Sequence, residues 1–456
     1  MPDKNTEKAG SSVGFSRRDF IRAGAIAGAA VATVGMTGCA SVRRGPRATP
    51  FFPEPKGVPD RIRVGLIGAG GRGTGAAINC VDSSPNVEIG ALGDLFEDCV
   101  NNSYDYLKKQ RPDRCTATPE TCFHGFDAFQ KVLACDIEMV ILATPPHFRP
   151  QHLAAAIEAG KHVFMEKPVA VDPVGARKVI AASELAAVKG LGIVAGTQRR
   201  HDPVYVETMN RVRDGAIGEL VGGQCYWNQG ALWVDRAKDN WQKHQSGQWT
   251  DMEWQIRNWL FLSWLSGDHI VEQHVHNLDV INWAMGGPPV SACGMGGRQV
   301  RTDPMYGNVF DHFAVEYEYA NGARVLSMCR QTEGTSERVS EHLVGTKGTA
   351  KPYGEIHARR EWKFEQAKGS EPVNPYVQEH QDLIRSIRHG KPLNEGRRIA
   401  ESTLTAIMGR MSAYTGRELQ WKWVMNASAL DLTPPAYEFG PLPVDPVGVP
   451  GETKLV

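Results

Sequence analysis

Fifteen residues, Ser266–Val280 (SGDHIVEQHVHNLDV), hold three histidines, two aspartates and one glutamate. Two chemistries suit such a cluster. Imidazole and carboxylate can ligate a transition metal, and on a helix His269, Glu272 and His276 would share one face, with His274 beside them. Alternatively, His276 is a general base, because an imidazole titrates near working pH. Glu272, one turn earlier, would then orient it. A polar pocket wall is the plain alternative for each histidine.

A second chemical candidate is Glu166-Lys167-Pro168, which ends the apolar run KHVFMEKP (Lys161–Pro168). That places Lys167 at the carboxyl end of a predicted strand, the edge that faces the ligand crevice in a doubly wound sheet. A lysine there can hold a substrate hydroxyl and stabilise alkoxide charge. Alone, the tripeptide would read as a solvated turn. Arg199, Arg200 and His201 follow another strand end, as substrate contacts or as surface charges. Trp227, Trp233, Trp254 and Trp259 precede the histidine cluster. Such rings suggest an aromatic-lined cleft, and Trp259 is taken as a substrate contact, with core packing the alternative.

A third feature binds rather than reacts. VGLIGAGGRGTG carries Gly68-x-Gly70-x-x-Gly73, with Arg72 inside it. Gly68 allows the tight turn, Gly70 the approach of a pyrophosphate, and Gly73 close helix–strand packing. The following helix N-terminus favours the phosphates. Asp94 ends the next predicted strand, placed to bind ribose hydroxyls and repel a 2′-phosphate, so NAD is expected over NADP.

The elements that must position these groups read as two domains. Apolar runs at Val87–Asp94, Glu138–Pro145, Lys161–Pro168 and Gly190–Gly196 alternate with helical stretches such as Gln151–Ala159 and Pro173–Lys189. That alternation predicts a parallel sheet covered on both faces, a Rossmann domain over 61–196. Beyond it lie a helix (Pro203–Asp214), a strand (Glu219–Asn228), a helix from the histidine cluster to Gly286, and a hairpin (Asp311–Gln331) turning at Asn321-Gly322. Residues 197–420 are therefore expected as a second α/β domain with a large, mostly antiparallel open sheet. Ile384 with Ile387, and Leu404 with Ile407, Met408 and Met411, mark two closing helices. The Pro-rich residues 421–456 read as an extended arm across a neighbouring subunit. The fold class is α/β throughout.

The chain has 456 residues, 41% hydrophobic and 22% charged, and no formal net charge. This composition suits a packed globular protein and argues against nucleic acid as the main partner. Residues 1–40 read as an export signal: Arg17-Arg18 and Phe20, an Ala/Gly-rich run, then MTGCA. The protein is thus expected to be periplasmic, or membrane-bound through lipid on Cys39. Residues 41–60 are a Pro-rich linker. The other eight cysteines show no CxxC pair. Cys115 and Cys122 could bridge in an oxidising compartment, or remain buried thiols.

Four segments occur in order: the Gly fingerprint, Ala143–Ala170, Gly196–His201 and Glu272–Gly287. Together they resemble the glucose–fructose oxidoreductase / inositol dehydrogenase (Gfo/Idh/MocA) family across Arg61–Gly416. The resemblance implies a Rossmann domain plus an open-sheet domain that makes oligomer contacts, as a dimer or tetramer. It also implies chemistry at the carbinol carbon of a small-molecule sugar, glycoside or cyclitol, with a tightly held nicotinamide cofactor. By position, Lys167 matches the family's catalytic lysine and His276 its active-site histidine. Glu272 and His274 stand where Asp and Gly are usual, and are expected to shape the substrate pocket. Thr144, Pro145, Pro146 and His147 match the loop beneath the nicotinamide, with Pro146 in place of Asn and Arg149 in place of His. Glu166 accompanies Lys167 at the cofactor. The family motif accounts for Glu272 and His276 without metal and leaves His269 and His274 unexplained.

Three functions follow as expectations. The first is an exported NAD-dependent oxidoreductase acting on a CH–OH group. The second is an NAD-dependent glycosidase, similar to N-acetylgalactosaminidases that oxidise, eliminate, hydrate and reduce. The third is a non-catalytic sugar- or NAD-binding protein.

Overall fold

In the computed structural model, which describes residues 52–53 and 60–456, the apolar runs of the first half build a six-stranded parallel sheet. The twin-arginine stretch, Cys39 and most of the 41–60 segment lie outside the described residues. The strands are β1 (Ile62–Ile67), β2 (Val87–Asp94), β3 (Cys122–His124), β4 (Met139–Leu142), β5 (His162–Met165) and β6 (Ile193–Ala195), in the order β3-β2-β1-β4-β5-β6. Helices α1 (Gly71–Ser83), α2 (Glu97–Gln110), α3 (Ala128–Leu133), α4 (Arg149–Glu158) and α5 (Pro173–Lys189) alternate with them. Val64, Leu66, Val140, Ile141 and Phe164 are wholly buried because both faces are covered. Strand order reverses between β1 and β4, which opens a crevice at the carboxyl ends of the strands.

The second half continues with α6 (Pro203–Arg213), β7 (Leu220–Gln229), α7 (Val234–Gln245), α8 (Asp251–Arg257), α9 (Ser263–Ser266), α10 (His269–Glu272) and α11 (Val275–Met285). Strands β8 (Ser291–Gly297), β9 (His312–Glu318), β10 (Arg324–Gln331), β11 (Arg338–Gly345), β12 (Gly348–Lys351), β13 (Glu355–Ala358) and β14 (Trp362–Lys363) follow. The chain closes with α12 (Pro375–Arg388), α13 (Gly396–Thr415), β15 (Leu419–Gln420) and α14 (Trp421–Asn426). The nine strands run β14-β13-β12-β11-β7-β10-β9-β8-β15. Only the β7–β10 pairing is parallel. The β9–β10 hairpin turns at Gly322, whose φ of +81° suits glycine.

Two expectations change. The helix through the histidine cluster is broken into α10 and α11 at Gln273 and His274, so the shared face of His269, Glu272 and His276 does not form. The start of α10 is fixed upstream. Asp268 adopts φ +72°, and its carboxylate accepts from the His269 amide (2.6 Å), the Phe310 amide (2.7 Å) and the Tyr414 hydroxyl (2.7 Å). Second, the closing helices also serve the Rossmann domain: Leu383 and Ile384 of α12 join the core of one sheet face, and Ile399 and Ala400 of α13 the core of the other. The Pro-rich arm also packs on its own chain. The Tyr437 hydroxyl sits 2.8 Å from His147 Nε2, and the Leu442 amide donates to Asp251 (2.9 Å). The eight cysteines of the described residues are free, Cys115 and Cys122 included.

Candidate active site

The glycine turn at β1–α1 is shaped for a phosphate-bearing ligand. Gly68 has φ +97°, and a Cβ on Gly73 would fall 1.8 Å from the Gly68 carbonyl oxygen. By contrast, a Cβ on Gly70 or Gly71 would meet nothing within 4 Å. That open space in front of the α1 N-terminus is where a pyrophosphate would be cradled. Asp94, at the end of β2, accepts from the Ala69 amide (2.7 Å) and the Phe96 amide (3.0 Å). Burial pushes its carboxyl pKa up, while these amides oppose the shift. A cavity of about 300 Å³ joins Gly68, Gly70, Asp94, Thr144 and Pro145 on one wall to Trp233, Arg236 and Trp259 on the other. The open glycine cradle, the helix N-terminus and the acid at the ribose end fit NAD.

Arg72 lines the same cavity and pairs with Glu166 at 2.5 Å. It also lies 3.6 Å from Glu379 of α12, whose two carboxyl oxygens are buried without hydrogen-bond partners. Burial and the neighbouring Glu166 push Glu379 well above the usual carboxylate range. Sequence reasoning missed Glu379, because nothing in α12 signals that it returns to the nucleotide fold.

At the end of β5, the Lys167 ammonium donates to the Glu272 backbone carbonyl (2.5 Å) and to Glu272 Oε1 (2.9 Å). Glu272 therefore grips Lys167 instead of orienting His276. Its other oxygen, Oε2, is buried and has no partner. His276 stacks on Trp227, with ring centroids 5.7 Å apart. Burial, then the charges of Lys167, Arg199 and Arg72, push its pKa well below the ordinary value. The result is a neutral imidazole whose buried Nδ1 has no hydrogen-bond partner. Arg199 packs over Trp227 at 5.6 Å and bonds to Glu341 of β11. The Asn277 amide also donates to Glu341 (2.7 Å).

Other candidates sit elsewhere. His274 is fully buried against the sheet, with Nε2 2.7 Å from the Ser327 hydroxyl, so it does not wall the substrate pocket. Burial pushes its pKa down to about 3. Arg200 is a clamp rather than a substrate contact: it donates to Asp279 Oδ2 (2.8 Å) and Oδ1 (2.9 Å). Arg398 (3.1 Å) and Ser402 (2.8 Å) bind the same carboxylate. His201 lies buried with Asp382 at 2.7 Å. Trp259 faces the dinucleotide cavity, edge-to-face with Trp233, and Trp254 is core. Pro146 and His147 are buried, and His147 is engaged by Tyr437 instead of the cofactor. Arg149 is buried and donates to the Leu142 carbonyl (3.0 Å). The alternative metal set disperses, with His269 on Asp268, Glu272 on Lys167, His274 on Ser327 and His276 on Trp227. No group of three or more metal-ligating side chains forms among the described residues.

The architecture and both domains have known counterparts. Residues 62–190 match the model of the "Oxidoreductase family, NAD-binding Rossmann fold", and residues 205–351 that of the "GFO/IDH/MocA C-terminal domain". Inositol 2-dehydrogenase 4 of Saccharopolyspora erythraea is 33% identical over 164 residues, 36% of this chain and 44% of that protein. Glycosyl hydrolase family 109 protein 2 of Shewanella sp. (strain ANA-3) is 28% identical over 243 residues, 50% of each chain. The chain thus spans 44% and 50% of the lengths of these relatives. Among solved structures, scyllo-inositol dehydrogenase from Lactobacillus casei with NAD(H) and scyllo-inositol superposes with a TM-score of 0.60 at 18% identity, covering 79% of this chain and 99% of that one. One family model on each domain, on an NAD-shaped cavity in a 3-2-1-4-5-6 sheet, shows that the chain belongs to the Gfo/Idh/MocA oxidoreductase family.

Proposed function

We propose that this protein is an NAD-dependent oxidoreductase acting on a CH–OH carbon of a sugar, glycoside or cyclitol. The observation that carries the proposal is Lys167, an ammonium held by Glu272 at 2.9 Å, together with His276 stacked on Trp227, whose pKa the Lys167 charge helps to lower. When bound, the nicotinamide supplies the hydride acceptor or donor. Lys167 holds the reacting hydroxyl and stabilises the oxygen as negative charge develops. His276 removes the hydroxyl proton. Glu272 keeps the ammonium in place, and Trp227 offers an apolar face beside the base.

The test begins with purified, denatured protein, whose released ligand is identified by absorbance and mass. A screen of sugars, glycosides and cyclitols then follows nicotinamide absorbance. Lys167→Ala and His276→Ala are each expected to lower turnover roughly 10²–10⁴-fold. Unchanged turnover in both would sink the catalytic assignment and leave a sugar- or NAD-binding protein.

The Shewanella relatives support a second reading, an NAD-dependent glycosidase. Aryl glycosides incubated without added NAD separate the two. A reducing sugar of unchanged oxidation state favours hydrolysis, and an accumulating ketosugar favours net oxidation. We further propose twin-arginine export, on Arg17-Arg18, with Cys39 a lipid site. A homo-oligomer is supported by the outer face of the nine-stranded sheet, which exposes Met295, Leu326 and Met328.

A further inference from the structure

The cavity that fits NAD has a wall that is not part of the Rossmann domain. Trp233, Arg236 and Trp259 come from the segment around α7 and α8, and they face Asp94 and Phe96 across the cavity. Arg236 stacks over Trp233 at 4.4 Å and donates to the Arg257 carbonyl (3.2 Å). These groups stand at the Asp94 end, where the adenosine half belongs.

Arg257 and the C-terminal arm fasten that wall to the Rossmann domain. Arg257, at the end of α8, donates to both oxygens of Asp98 on α2 (3.2 and 3.0 Å) and lies 3.7 Å over the Phe96 ring. The C-terminal arm crosses from one side to the other. Its Phe439 packs against Phe96 (6.0 Å) and Phe126 (5.3 Å), two rings that line the cavity. Just beyond, the Leu442 carbonyl accepts from Gln255 of α8 (2.6 Å), and the Gly440 carbonyl accepts from the Met252 amide (3.2 Å). The arm is therefore stitched to α8 and stacked on the Rossmann loops at once.

We infer that α7, α8 and the C-terminal arm form a clasp over the adenosine half of the cofactor, so that NAD enters and leaves only when the clasp opens. Trp233, Arg236 and Trp259 are the binding face of this clasp, and Arg257, Phe439 and the Leu442 backbone are its fastening. The inference rests on the NAD reading above. It has a kinetic signature. Phe439 and Asp98 lie outside the cavity lining, so loosening them changes access to the site more than the contacts made in it. Association and release should then accelerate together.

The experiment uses the full chain and NADH, followed by energy transfer from Trp233 and Trp259. Rapid mixing gives association, and a chase with excess NAD gives release. Phe439→Ala is expected to raise both rates roughly tenfold, the effect of losing about 1.4 kcal/mol of closure, while the equilibrium Kd stays within about threefold. Phe439→Leu should restore slow exchange. Asp98→Asn, at the other end of the clasp, should also raise both rates, by a smaller factor. Arg236→Ala should raise release alone, as loss of a direct contact. Release from folded Phe439→Ala and Asp98→Asn proteins at the wild-type rate would overturn the clasp while leaving NAD binding intact. Failure of the wild-type chain to bind NADH would overturn both readings.

Discussion

Lys167 and Glu272 form a pair with exposed side-chain fractions of only 12% and 8%. A charged hydrogen bond of this kind contributes about 1.5–3 kcal/mol. Glu272→Gln keeps the shape and removes the charge, so kcat/KM is expected to fall roughly 10–150-fold, in steady-state assays with the substrate found by screening. As the proposed base, His276 would set the acid side of the pH profile. Burial holds its pKa well below the ordinary 6.5. The imidazole therefore stays neutral through that pH, and kcat/KM should decline only at more acidic values. An acid limb centred at or above 6.5 would contradict the assignment. Both candidates were named from sequence, Lys167 from its strand end and His276 from the motif. The partner of Glu272 was not, because the break at Gln273–His274 sends it to β5 instead of along the helix.

At the scale of elements, α11 is held in place by one carboxylate. Asp279 collects Arg200, Arg398 and Ser402, and despite burial these arginines hold its pKa below the usual range. Asp279→Ala would strand the buried Arg200 guanidinium, while Arg398 keeps Glu395, at a cost of about 3–5 kcal/mol, readable in denaturant unfolding. The β1–α1 turn is equally unforgiving. A Cβ at Gly73 meets backbone, not a flexible side chain, so Gly73→Ala should abolish NADH binding even where the protein folds. The turn, the parallel strands and the β9–β10 hairpin were readable because each is specified by local residues. The Asp268 pin was not, since its partners Phe310 and Tyr414 lie far along the chain.

Across the whole molecule, buried histidines link stability to pH. Burial pushes His147 down to about 4 and His152 and His274 to about 3, from an ordinary 6.5. Between these values the unfolded chain binds protons that the folded chain refuses. Their contribution is thus complete above 6.5 and is lost as pH falls, by up to about 1.4 kcal/mol per pH unit for each histidine. His201 behaves oppositely. Burial opposes its charge, but Asp382 and Glu395 hold its pKa up to about 10, so its contribution is complete below 6.5 and is lost as pH rises through 10. Melting temperature should therefore drop from pH 6.5 toward 4. A rise over that interval would contradict these protonation states. The return of α12 and α13 to the Rossmann domain makes one cooperative body of residues that read as two domains.

The sequence by itself determined the α/β class, the dinucleotide turn, the acid at the ribose end and the lysine at the strand edge. Each depends on local backbone geometry or on periodic burial, which neighbouring residues dictate. Only the tertiary structure decided what the polar side chains face. It turned Arg200 to Asp279, His274 to Ser327, His147 to the arm and Trp259 to the cofactor cavity. Buried polar groups take whichever partner the packed chain brings within reach, and those partners lie tens to hundreds of residues away.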